Sequence, residues 1–344
     1  MTEAEVLRVT DLAVSIHGDE GVARVLDHIH LRLSRGKVLG VVGESGCGKS
    51  TLIRAILGIL PGGARIDRGT IHFEGRDLLA MDEASLNHEI RGGRIGFIPQ
   101  DPYLALNPLF TVGTQLTEIM RQHAPRDGLR GKALQRKFRN RLEALLRRVQ
   151  LADPGAALDR YPHQFSGGQR QRLLIAGALA CAPGLVIADE PTTALDVTTQ
   201  QQILDLLREL ARELDVSMLF VSHDLGVVAR LCDEISVIYA GQTVESGPTR
   251  RVLDDPAHPY TRALIACHPA RSNGFAGIPG SVPSPLTPPP GCRFTPRCDA
   301  ARDICARRQP QLRAMAAEPN RAVDCRLYDA APAQQDAAAS GLPA

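Results

Sequence analysis

The sequence predicts an α/β fold built on a mostly parallel sheet, and three observations lead to it. Short strand-like and helix-like segments alternate from Leu185 to Tyr239, the pattern of consecutive βα units. A continuous apolar run, Val38–Val42, leads into a glycine-rich loop and a helix-like stretch, as a strand buried on both faces does. A long helical stretch, from about Thr111 to Ala180, interrupts the alternation and reads as an inserted subdomain.

The elements follow in order. Val6, Val9, Leu12, Val14 and Ile16, then Val25, Ile29, Leu31 and Leu33, set apolar residues among polar ones as half-buried strands do. The stretch Lys49 to Leu57 is helical and is stopped by Gly58 and Pro61. Ile71–Phe73 and Ile95–Ile98 are short strands. Arg130 to Leu151 is amphipathic and rich in Arg and Leu. Then come strand Leu185–Asp189, helix Thr198–Leu214, strand Ser217–Val221, helix Leu225–Leu231 and strand Ile235–Tyr239. Prolines at 279, 283, 285, 288, 289 and 290 predict a stiff, extended linker. The expected organisation is a main domain over 1–267, with its helical insert at about 101–181. A linker over 268–291, a cysteine-containing module over 292–328 and a disordered tail over 329–344 complete it.

Composition narrows the function. The chain has 344 residues, 44% hydrophobic and 23% charged, enough for a real core. Lys+Arg 40 against Asp+Glu 38 leaves a net charge of +2, so no bulk positive field draws nucleic acid. Trp is absent and aromatics are 4%, which speaks against base-stacking platforms. No apolar run reaches membrane-spanning length, and Met1–Thr10 lacks the apolar core of a signal peptide. The expectation is a protein that stays on the cytosolic side.

Two motifs carry chemistry. Gly43-Glu44-Ser45-Gly46-Cys47-Gly48-Lys49-Ser50 follows the strand Val38–Val42 and opens a helix. Glycines let several backbone N–H groups converge on one anion, and the helix N-terminus adds partial positive charge. Lys49 is placed to reach the β- and γ-phosphates, and the Ser50 hydroxyl to bind Mg²⁺. The nucleotide-binding set runs from Gly43 to Thr51. About 140 residues on, Leu185–Ala188 ends in Asp189 and Glu190. Ligands gather at that edge of a parallel sheet. Asp189 suits Mg²⁺ and Glu190 suits a general base acting on water.

Between them lies Ser166-Gly167-Gly168-Gln169 within Phe165–Arg172. This resembles the signature motif of ABC-type ATPases, within the P-loop NTPase class. The resemblance implies that Ser166–Gln169 contacts the γ-phosphate held by an opposite subunit. It implies further that Gln100, in Ile98-Pro99-Gln100, joins the core to the helical subdomain and reaches Mg²⁺ and the attacking water. Asp196 matches the loop that crosses the dimer interface, and His223 the switch histidine on the γ-phosphate. Glu190, His223 and Gln100 are thus the expected catalytic residues; Ser50, Gln100 and Asp189 are the expected Mg²⁺ set. One position departs from the pattern: Ile16 and His17 stand where an aromatic residue usually stacks on adenine.

The tail narrows the resemblance. Asp189–Val197, His258-Pro259-Tyr260-Thr261-Arg262-Ala263-Leu264 and Pro283–Cys298 are similar to segments of the dipeptide, oligopeptide and nickel importer ATPases. The implied function is ATP binding and hydrolysis that energise import of di- or oligopeptides across the cytoplasmic membrane. Nickel or another peptide-like solute is the alternative cargo; a soluble ABC ATPase acting on DNA or ribosomes is the alternative class. The implied partners are a second ABC ATPase in a heterodimer, two transmembrane permeases and, indirectly, a solute-binding protein, with no nucleic acid. The implied location is peripheral, on the cytoplasmic face of the inner membrane.

Cys292, Cys298, Cys305 and Cys325 crowd into the module with C-x5-C-x6-C-x19-C spacing. Thiolates suit iron–sulfur clusters or zinc. The close C-x2-C pair common in zinc sites is absent, and the wider spacing suits a [4Fe–4S] cube better. Three readings stay open: a cluster, zinc, or four free thiols. Cys47, Cys181, Cys232 and Cys267 read as scattered small hydrophobes.

Overall fold

The computed structural model describes residues 5–123, 128–193, 195–267 and 277–329. Most of the expected linker's first half and of the expected disordered tail lies outside these residues.

Two sheets stack, one of them the mostly parallel sheet that the sequence pattern predicts. The first is antiparallel, in the order β2-β1-β4-β5, from β1 (Glu5–Gly18), β2 (Gly21–Ser34), β4 (Ala64–Phe73) and β5 (Arg76–Asp77). The second has eight strands. Its parallel part is β9 (Glu234–Tyr239), β3 (Val38–Val42), β8 (Ser217–Ser222), β7 (Leu185–Asp189) and β6 (Ile95–Ile98), in that order. Beyond β9 come three antiparallel strands: β10 (Gln242–Pro248), β12 (Glu318–Val323) and β11 (Arg313–Met315).

The central strands divide their side chains between two cores, as the period of two requires. Leu39, Val41, Leu185, Ile187, Leu219 and Val221 face the antiparallel sheet and the helix Lys49–Leu57. Val38, Val42, Val186, Ala188, Met218 and Phe220 face the helices Gly167–Leu179, Val197–Glu213 and Leu225–Leu231. All five residues of β3 are buried. The helical insert, chiefly Val112–His123 and Gly131–Arg148, packs Leu116, Met120, Phe138 and Leu142 into the second core.

The C-terminal region differs most from the sequence reading. The stretch around the prolines is not a free spacer: the Arg24 amide donates to Pro285 O at 2.8 Å, and Ile278 packs on the core. The cysteine-containing region then adds β12 to β10, so the eight-stranded sheet continues into it. At that seam Glu245 of β10 and Arg321 of β12 form a buried ion pair, 0% and 1% exposed, with Nη2 to Oε1 at 2.7 Å. Arg321 Nε adds a bond to Oε1 at 3.1 Å, and the Ala257 and His258 amides donate to the carboxylate at 2.9 Å each.

Candidate active site

The phosphate loop joins β3 to the helix Lys49–Leu57, and two of its glycines are sterically required. A Cβ on Gly43 would lie 2.1 Å from the Ile238 carbonyl oxygen. Gly48 caps the helix at φ +103°, and a Cβ there would meet Leu26 Cδ2 at 2.5 Å. The buried Lys49 Nζ donates to Gly43 O at 2.8 Å and Glu44 O at 3.2 Å. The ammonium is thus held inside the loop that a phosphate would enter. Cys47 is buried too, and burial pushes its thiol above the ordinary range. It is therefore a protonated, shielded packing residue in a reactive-looking place.

A cavity of about 420 Å³ opens over the loop. Ser45, Gly46, Gly48, Lys49, Ser50 and Thr51 line it from the loop, and Gln100, Glu190 and His223 from the sheet edge. Glu190 is the hub of that edge. Its Oε2 accepts from Gln100 Nε2 at 3.3 Å and Thr193 Oγ1 at 3.0 Å, and its Oε1 lies 3.1 Å from His223 Nδ1. Its backbone holds φ +44°, a strained conformation for a residue with a Cβ, and its amide donates to Val221 O at 3.0 Å. Three residues 90 and 33 positions away from it, or 3 positions on, thus meet at one carboxylate. Burial and the adjacent Glu190 charge push the Asp189 carboxyl above its ordinary range, against Lys49 and a hydrogen bond with Ser50. Asp189 and Ser50 are therefore neighbours, an oxygen donor set suited to Mg²⁺.

Ser166–Gln169 and Asp196 do not line this cavity. Ser166 caps the helix Gly167–Leu179: its Oγ accepts from the Gln169 amide at 3.3 Å, and Gln169 Oε1 accepts from the Ser166 amide at 3.0 Å. Asp196 caps Val197–Glu213, accepting from the Thr199 amide at 3.0 Å. Both helix starts stay open to solvent. Ile16 is half-buried and His17 exposed at the end of β1.

Two other surfaces matter. Just after Gln100, Tyr103, Leu104, Leu109 and Phe110 are exposed, Leu104 at 84%. The loop that carries them is tied down: Gln115 donates to Asn107 O and Phe110 O and accepts from the Asn107 amide. In the C-terminal module Cys292, Cys298, Cys305 and Cys325 all line one small cavity, beside His258 and Phe294. Burial raises the thiols of Cys292, Cys298 and Cys325. Among the described residues no three of His, Cys, Asp and Glu close in tightly enough to hold a metal ion. The cavity measures about 20 Å³, room for one water, so a larger group requires the cysteine loops to part.

The family pattern described as "ABC transporter" matches residues 26–193, and "Oligopeptide/dipeptide transporter, C-terminal region" matches 244–305. The dipeptide transport ATP-binding protein DppD of Bacillus subtilis is 42% identical over 310 residues, covering 89% of this chain and 90% of that protein. The chain belongs to the ATP-binding subunits of the oligopeptide/dipeptide ABC-transporter family. The oligopeptide transport ATP-binding protein OppD of the same organism is also 42% identical, over 89% of this chain and 85% of its own. Among solved structures, the dimeric ATP-binding cassette MJ0796 bound to ADP and Pi superposes with a TM-score of 0.61 at 27% identity, over 71% of this chain and 99% of that one. CbiO1 from Clostridium perfringens, part of an ABC transporter complex, gives 0.61 at 26% identity, over 77% and 95%. The chain is thus an ABC-type ATP hydrolase of a transporter, using ATP with Mg²⁺.

Sequence reasoning on this ABC ATPase missed three residues that shape the site. Thr193 lies three positions after Glu190 and fastens it. Tyr260 Oη accepts from the Glu44 amide at 3.0 Å, and Arg297 reaches the Glu44 carboxylate. Tyr260 and Arg297 sit in segments quoted only as marks of the subfamily; their action on a loop more than 200 residues away has no local signal.

Proposed function

We propose that the chain energises import of di- or oligopeptides as one of two ATPase subunits beneath a pair of membrane permeases. The observation that carries this is the C-terminal region: its match at 244–305 and the names of relatives aligned over about nine-tenths of the chain. The rigid apolar loop 103–110 beside Gln100 is the natural docking point for a permease, since it couples the cavity to an exposed hydrophobic patch. Among the described residues no helix is long and apolar enough to cross a membrane, so attachment runs through such partners, on the cytoplasmic face. The second subunit is a related ATPase, and a solute-binding protein delivers the cargo.

In this reading Gly43–Thr51 cradles the triphosphate of ATP. Lys49 leaves its carbonyl partners to meet the β- and γ-phosphates. Ser50, Asp189 and Gln100 would hold Mg²⁺, which would supply neutralisation of phosphate charge. Glu190 takes the proton of the attacking water, oriented by Gln100, Thr193 and His223. The open helix start at Ser166–Gln169 meets the nucleotide of the opposite subunit, with Asp196 at the same interface. Tagged co-purification from membranes of the native host tests the assignment. Two polytopic permeases and a second ABC ATPase are the expected company. Ribosomal or DNA-repair proteins with no permease would overturn it, and a nickel-binding partner protein would move the cargo to nickel.

The four cysteines are the ligand set for a [4Fe–4S] cluster. What supports this is a donor set of four thiols lining one cavity, whose loops have to part for the cluster to enter. Anaerobic purification is expected to yield about four irons and four sulfides per chain with a broad visible absorption, lost in Cys298→Ser. A single zinc, or no metal with four titratable thiols, would sink the cluster.

A further inference from the structure

We propose that Arg297 is a positioning residue of the phosphate loop, so that the C-terminal module is a working part of the nucleotide site. Glu44 poses the problem. It is an acid inside a loop built to accept a polyanion, and a free carboxylate there repels the phosphates. Arg297 answers it with a two-pronged contact: Nη1 to Oε2 at 2.9 Å and Nη2 to Oε1 at 3.1 Å. The guanidinium is itself fixed. Nε donates to Pro279 O and Nη2 to Ile278 O, each at 2.9 Å, and Nη1 reaches Tyr239 Oη at 3.3 Å. Its side chain is 3% exposed. A lysine could supply the charge but not this fork.

The same residue is pinned through its backbone. Tyr260 Oη takes the Glu44 amide, and the Tyr260 ring packs at a tilt on Tyr239 and edge-on with Phe294 of the module, at centroid distances of 4.5 and 5.5 Å. Glu44 is therefore held by its amide, by its carbonyl, which accepts from Lys49 Nζ, and by its carboxylate. Two of those three holds come from the last third of the chain. Neutralising the carboxylate and fixing it aside lowers the cost of bringing in phosphate, so the effect falls on nucleotide binding and not on the chemical step.

This inference rests on reading Gly43–Thr51 as the ATP site, and binding of ATP·Mg²⁺ to the unaltered full chain tests that reading separately by calorimetry. Arg297→Met is expected to weaken ATP binding roughly tenfold through the uncompensated charge, raising KM while kcat at saturating ATP stays within about twofold. Adding Glu44→Gln to it is expected to restore affinity to within about threefold of the parent. Parent-like ATP affinity in Arg297→Met overturns the proposal. So does a double variant as weak as the single one, since the loss would then run through the fold of the module. Should Arg297→Met not fold, Arg297→Gln carries the test: it keeps a polar side chain but not the charge, so it is expected to bind ATP roughly tenfold more weakly, and parent-like affinity overturns the neutralisation argument.

Discussion

Glu190→Gln is expected to stop turnover while leaving ATP bound. Glutamine keeps the length and shape of the side chain, and it keeps an oxygen for Thr193 and Gln100. It removes the capacity to accept a proton. General-base loss is worth roughly a hundredfold to ten-thousandfold in kcat. The phosphate loop and Lys49 are untouched, so ATP affinity should stay within about threefold. The geometry adds a second expectation. Glu190 sits at φ +44° with Gln100, Thr193 and His223 on its carboxylate, so the base is held in place by three neighbours. His223→Ala then lowers kcat less than Glu190→Gln does, because it removes one support and leaves the base. Steady-state hydrolysis and nucleotide retention read both effects. A Glu190→Gln enzyme running above a tenth of the parent rate would show that another group takes the proton.

Arg321→Met is expected to destabilise the chain by about 3–5 kcal/mol, the usual result of removing one partner of a buried pair. Glu245 is 0% exposed and, among the described residues, keeps the Ala257 and His258 amides once the guanidinium is gone. Its negative charge is then buried without a counter-charge. Arg321 also donates to Glu318 Oε2 at 3.4 Å and to Asp255 O, so the β12 seam and the 255–258 turn loosen together. A fall in Tm of roughly 10 °C follows for a domain of this size. Glu245→Gln should cost less, because its amide oxygen in the Oε1 place keeps the Ala257 amide and the Arg321 guanidinium and gives up only the His258 N–H. Thermal denaturation of both variants checks this. A Tm within about 2 °C of the parent for Arg321→Met would mean the seam is hydrated or dispensable.

How much of this was legible follows from sequence separation. The strand Val38–Val42, the loop and the helix Lys49–Leu57 are contiguous, so their chemistry could be read directly. The helices after Ser166, Asp196 and Asp224 announce themselves by their capping residues. The convergence of Gln100, His223 and the phosphate loop on Glu190 is long-range, and only the resemblance to a family made it legible. The N-terminal strands were legible as strands but not as a separate antiparallel sheet, because alternating Val and Leu fix a strand's faces and not its partners. β10 to β12 went unread for a sharper reason. β12 is Glu318-Pro319-Asn320-Arg321-Ala322-Val323, whose buried Arg321 finds its buried counter-charge in Glu245, 76 positions earlier. Arg297 and Glu44 are 253 positions apart. Nothing in either neighbourhood points to the other.

The place of β12 has a consequence for synthesis. β10 is complete when Pro248 is made, yet the strand that covers its free edge ends at Val323. The ribosome adds about 5–20 residues each second, so that edge waits several seconds for its partner. During that interval the nascent chain offers an open row of backbone donors and acceptors to whatever strand is near. Slower translation of the proline-rich stretch would lengthen the exposure, and a message cut short before codon 318 would make it permanent.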